Sequence, residues 1–243
     1  MPKVLEYHRP ASVEEAVGLL AMPDAAVLAG GTRINATPFD GQVVAIDIQS
    51  LGLSGIEAIG ASRLRLGATT TLQQVADHPA VPAVLRELAR REEPSTLRTL
   101  ATVGGTVASG GWESELLTGL LAAHAEVTLR TAAGTQTVGL AALLADCELL
   151  RRALITDVSL HIDGTFAADH TGRTPGDRAI VLAVAHRSAA GAVTVALSGV
   201  AATPVVVDSL DGLAPPSDFR GTSEYRNHLA RVLGARVRTA VAA

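Results

Sequence analysis

The chain has one cysteine, Cys147, and one lysine, Lys3. A single thiol cannot close an intrachain disulfide, hold a four-cysteine iron–sulfur cluster or build a cysteine zinc site. A single lysine argues against a P-loop, a pyridoxal phosphate site and Schiff-base chemistry. Aromatic residues make up 2% of the chain, too few for a base-stacking surface that grips single-stranded nucleic acid. A net charge of −4 gives no electrostatic footprint for a nucleic-acid backbone either. The apolar runs are short and broken by Gly or polar residues, and none is long enough to span a bilayer. No basic segment followed by an apolar core opens the chain, so a cytoplasmic location is expected. The histidines show neither HExxH nor an i, i+4 pair, so no metal site is readable. GxSxG, the nucleophile elbow, is missing as well.

What is present is a globular composition. The 243 residues are 48% hydrophobic, enough for one large domain or two to three small ones. Ser12-Val13-Glu14-Glu15 reads as a capping box that opens a helix ending near Met22-Pro23. Ala25–Ala29 and Val43–Ile48 read as short buried strands, giving a small α/β unit. Ile56–Ala68 has the period-2 pattern of a hairpin. Thr71-Leu72-Gln73-Gln74 is a second capping box, and helices are expected over Val81–Arg91 and Glu115–Ala125. Glu126–Leu140 reads as a hairpin, Ala153–Ile162 as a strand and Asp163–Asp177 as a polar loop. Ala179–Ala202 reads as a long hairpin. A last helix from about Ser223 is expected to turn Tyr225, Leu229, Val232, Leu233 and Val237 inward, leaving Arg226, Arg231, Arg236 and Arg238 to solvent and the helix dipole.

Two stretches share a strand-Gly-Gly-Thr form: Ala29–Asn35, with Gly30, Gly31 and Thr32, and Thr102–Ala108, with Gly104, Gly105 and Thr106. Glycine lets the backbone approach a phosphate closely and turns amides toward it. GxGxxG spacing is missing. On the residues alone, each pair is either an ordinary turn or half of an anion or dinucleotide site. Trp112, beside Gly110-Gly111, is equally a ligand cover or a packing plug. His170 lies in the expected polar loop, where functional groups concentrate.

AGGT at 29–32, LGATTT at 66–71 and LRTLATVGG at 97–105 resemble the motif series of the flavin-binding subunits of molybdenum hydroxylases. That family includes the medium subunit of aerobic carbon monoxide dehydrogenase and the flavin domain of xanthine dehydrogenase. EYHRPASVEEAVGLL at 6–20 and PPSDFRGTSEYRNHLARVL at 215–233 are similar to its opening and closing segments. The resemblance implies an α+β fold, with a two-lobed PCMH-type FAD-binding domain followed by a small antiparallel α+β C-terminal domain. The domains would cover residues 1–146, with lobes of about 1–55 and 56–146, and residues 147–243.

FAD is the implied cofactor, its diphosphate held by Ala29, Gly30, Gly31, Thr32, Arg33 and Ile34 and by Thr102, Gly104, Gly105 and Thr106. Thr70 would lie near the flavin or the phosphates, Glu115 would hold the adenosine ribose, and Asp177 would open a C-terminal strand on the flavin side. The implied partners are a molybdenum-cofactor large subunit and a 2Fe-2S small subunit, and the implied role is electron transfer to an acceptor. Arg33 stands where the family usually has Asp, Thr99 and Thr106 replace asparagines, Trp112 replaces Pro and Glu115 replaces Asp. These departures motivate an alternative, a flavin-less descendant that binds or cyclises another small molecule. A third reading is a stand-alone flavin oxidase or reductase.

Overall fold

The computed structural model describes residues 3–36, 41–174 and 176–243. The first unit contains β1 (Lys3–His8), α1 (Val13–Leu19), β2 (Ala25–Leu28), α2 (Thr32–Ala36) and β3 (Gln42–Asp47). Its strands are parallel, in the order β1-β3-β2. The central strand β3 is buried almost throughout, as a strand covered on both faces must be. Ser12 caps α1 by accepting from the Glu15 N–H at 3.1 Å. The reciprocal half of the expected box shifts by one residue: Glu15 accepts from Ala11, not from Ser12.

The second unit opens with β4 (Ile56–Ile59), β5 (Arg63–Gly67), α3 (Leu72–Asp77), α4 (Ala83–Glu92), α5 (Ser95–Arg98), α6 (Val103–Ser109) and α7 (Glu115–Ala122). It closes with β6 (Glu126–Thr131), β7 (Gly134–Gly139), α8 (Leu140–Ala145), a 3-10 turn at Cys147–Leu150 and β8 (Leu154–His161). Its antiparallel sheet runs β4-β5-β8-β6-β7. Leu64, Leu66, Val127, Leu129, Val158 and Leu160 share one core with the leucines of α3, α4 and α7. Thr71 forms both halves of its capping box with Gln74.

The third unit contains β9 (Thr165–Thr171), β10 (Val181–Arg187), β11 (Val193–Ser198), β12 (Val205–Val206) and α9 (Ser223–Ala242). The sheet order is β12-β11-β10-β9, and α9 packs along it. All eight residues of α7 are buried, because α4 flanks this helix on one side and β10 and β11 lie against it on another. A helix hydrophobic all round must be covered all round. The α+β class expected from the sequence is the class observed.

Four expectations are corrected. The strand at 153–162 is β8, and it lies between β5 and β6 in the second sheet. A boundary at Asp146 would cut this strand from its neighbours, so the change of unit falls in the β8–β9 connection. The segment at 163–177 contains a strand where a loop was expected: β9 pairs with β10 from Thr165 to Thr171 and carries His170. Thr, Asp and His on an edge strand mimic the composition of a loop. The second glycine pair lies inside a helix, α6, with Thr102 as its N-cap. Finally, α9 turns Arg226 inward and leaves Tyr225 exposed. Arg226 donates to the carbonyls of Ile180 and Gly199 and pairs with Asp218, which satisfies carbonyls that no ladder reaches.

Candidate functional site

The two glycine pairs meet. A Cβ built on Gly30 would lie 1.8 Å from the Leu100 carbonyl oxygen, so the first pair rests directly on the backbone leading into the second. Gly31 has φ of 70°, a left-handed conformation that glycine adopts without strain. In the second pair, a Cβ on Gly104 would come within 2.9 Å of Ala68. Here glycine lets α6 lie against the end of β5.

A cavity of about 650 Å³ opens over this junction. Every diphosphate residue expected from the sequence lines it: Ala29, Gly30, Gly31, Thr32, Arg33 and Ile34 from the first stretch, and Thr102, Gly104, Gly105 and Thr106 from the second. The apolar part of the remaining wall comes from Leu20, Val27 and Ile48 of the first unit and Ala153–Ile155 at the start of β8. Such a cavity, with apolar walls and convergent polar groups, has the form of a cofactor site. Among the described residues, the Gly30, Gly31 and Thr32 amides donate no hydrogen bond. A glycine cradle with free amides, joined to a long apolar wall, fits a dinucleotide diphosphate and its flanking groups.

Three expected residues do not line the cavity. Thr70 is buried; its Oγ1 accepts from the Gly55 N–H at 2.9 Å and donates to the Gly55 carbonyl at 3.0 Å. It holds loops together. Glu115 is fully buried and receives Arg91 on both oxygens, at 2.6 and 3.1 Å, plus the Ala179 N–H at 3.1 Å. With its oxygens so engaged, the carboxylate does not fit the expected ribose-holding role. Asp177 accepts from Arg173 through its side chain and from Arg91 through its carbonyl. Arg91 thus ties Glu115 to the third unit. Trp112 is a packing residue: its carbonyl accepts from Gly199 and its ring lies 5.0 Å from Arg226.

Sequence reasoning missed Glu93, Arg151 and Arg152, which also line the cavity. The adjacent arginines had no periodicity to mark them, although Arg152 adopts a φ of 57°, rare for a residue with a side chain. Beside the cavity, Arg33 pairs with Glu93 at 3.2 Å and lies 3.9 Å from Glu92. Glu92 accepts from Ser114 Oγ and the Leu116 N–H, each at 2.9 Å. Burial pushes its carboxyl above the usual carboxylate range, against the pull of Arg178, these two donors and Arg33. Among the described residues, no helix is long and apolar enough to cross a membrane.

Comparison with known proteins gives the family and the fold. Residues 3–160 match the family described as FAD binding domain in molybdopterin dehydrogenase, and the match ends inside β8. The uncharacterized protein YgfM of Escherichia coli (strain K12) is 30% identical over 250 residues, covering 95% of this chain and 93% of its own. The nicotinate dehydrogenase FAD-subunit of Eubacterium barkeri is 28% identical over 144 residues, covering 55% of this chain and 48% of its own. A chain of carbon monoxide dehydrogenase from Hydrogenophaga pseudoflava superposes with a TM-score of 0.90 at 24% identity, covering 99% of this chain and 98% of that one. The two glycine stretches that form the floor of the cavity fall within the matched residues, and FAD is the cofactor for which the family is described. The chain therefore belongs to the family of FAD binding domains in molybdopterin dehydrogenases.

Proposed function

We propose that this chain holds FAD in the cavity and is the electron-transfer subunit of a molybdenum-hydroxylase-type oxidoreductase. In this reading it works between a 2Fe-2S small subunit, supplied by a molybdenum-cofactor large subunit, and an acceptor. The observation that carries the reading is the meeting of the two glycine stretches at the floor of one cavity. When bound, FAD supplies the redox chemistry.

The chain's own residues would bind and orient. The amides of Gly30, Gly31 and Thr32 would donate to the diphosphate, and the wall from Leu20 to Ile155 would exclude water from the rest of the cofactor. Arg33, next to those amides in the chain, would supply a cation. The second stretch contributes the shape of the floor, since its amides are used internally. One cysteine leaves the clusters to other subunits.

Purified protein is expected to be yellow and to release FAD on denaturation. FAD at 100 times its Kd should stabilise the fold by about 2.7 kcal/mol. Co-expression with a cluster-bearing subunit should yield a complex. Colourless protein that FAD neither colours nor stabilises would remove this reading and leave the flavin-free alternative.

A further inference from the structure

Four charged side chains from all three units meet beside the first glycine pair. Arg33 of α2 lines the cavity, and so does Glu93, the residue that follows α4. Glu92 ends α4 behind it, and Arg178 lies just before β10. The Arg33 guanidinium is 3.2 Å from Glu93 Oε1 and 3.9 Å from Glu92 Oε1. Arg178 reaches the same two oxygens, at 3.4 and 3.7 Å. Glu92 Oε2 is committed to α7 through Ser114 and Leu116, whereas its Oε1 has no hydrogen bond among the described residues. Burial disfavours the anionic form of Glu92, which leaves Glu93 as the firmer partner of Arg33.

Arg33 directly follows the amides of Gly30, Gly31 and Thr32. Two kinds of anion therefore compete for one guanidinium: the carboxylates on the wall and a diphosphate on the glycine cradle. Both offer paired oxygens, which suit the planar fork of arginine.

We propose that Glu93, backed by Glu92, sets the affinity of the cofactor site by holding Arg33 against the wall and limiting its engagement with the diphosphate of FAD. The inference rests on the FAD reading above. It makes Glu93 a positioning residue that acts on the cofactor through Arg33. Because Arg178 shares both carboxylates, the strength of this hold also depends on the docking of the third unit.

The test is a double-mutant cycle read as the FAD dissociation constant, by quenching of flavin fluorescence on the full chain. Glu93→Gln should tighten FAD binding about three- to fivefold, the range of a partly exposed ion pair. In an Arg33→Gln background the same substitution should change the constant by less than about 1.5-fold, within ordinary additivity error. Equal tightening in both backgrounds would mean through-space repulsion of the phosphates by Glu93 and would overturn the proposal. Weaker or unchanged binding by Glu93→Gln in the otherwise native chain would overturn it too. If Glu93→Gln does not fold, Glu93→Asp keeps the charge and withdraws it from Arg33, and tightening is again expected. A native chain that binds no FAD removes the functional reading itself, and that result appears before any variant is made.

Discussion

The two Gly-Gly-Thr stretches read alike in sequence and do different work in the fold. In the second, the amides are spent inside the protein. Val103 donates to Thr70, Gly104 donates to Ala68 and Gly105 donates to Thr102 Oγ1. Gly104 is needed because a side chain there would strike Ala68. In the first stretch, Gly30, Gly31 and Thr32 donate to nothing among the described residues, although Gly30 is pressed against Leu100. The second stretch is a buttress, and the first leaves its donors open to the cavity. A shared motif therefore fixes a shared location, and the hydrogen-bond inventory of each copy fixes its role.

Substitutions can break this contrast or sharpen it. Gly30→Ala places a Cβ 1.8 Å from a carbonyl oxygen that belongs to backbone and cannot rotate away. It should cost about 3 kcal/mol in urea unfolding and take FAD retention with it. Gly104→Ala meets Ala68 at 2.9 Å and should cost about 2 kcal/mol by the same measurement. Thr102→Ala removes the cap of α6, whose Oγ1 accepts from Gly105 at 3.1 Å, and should cost about 1 kcal/mol. Gly105→Ala should be nearly neutral. Its Cβ would approach Thr102 Oγ1 at 3.1 Å, while alanine in a helix gains about 0.5–1 kcal/mol over glycine. If Gly105→Ala weakened FAD binding as much as Gly30→Ala, the division into buttress and binding face would be wrong.

The comparison also shows which features the sequence could carry. Thr71 and Gln74 cap α3 within four residues of chain, so their pairing was legible. Leu64 and Leu66 alternate with Arg63 and Arg65, which marked β5 in its hairpin. Arg226 was misread because its partners, Ile180 and Gly199, lie far along the chain, and the helix pattern alone assigns an arginine to solvent. The partners of Glu115 were hidden for the same reason: Arg91 and Ala179, which engage its carboxylate, belong to other elements. Hidden from periodicity, β9 takes its strand character from pairing with β10.

Alone, the sequence determined where the backbone can bend tightly, where helices begin, which residues the cavity wall would draw upon at the two glycine stretches, and that its one cysteine cannot hold a four-cysteine cluster. Those are local properties, set by φ, ψ, side-chain reach and residue chemistry. Tertiary structure alone decided which amides stay available, which carboxylates are already engaged, and that Arg33 faces Glu93 across the cavity wall. The reason is physical: a donor or an acceptor is free or spent only with respect to partners brought to it by folding, and most of these partners are distant in the chain.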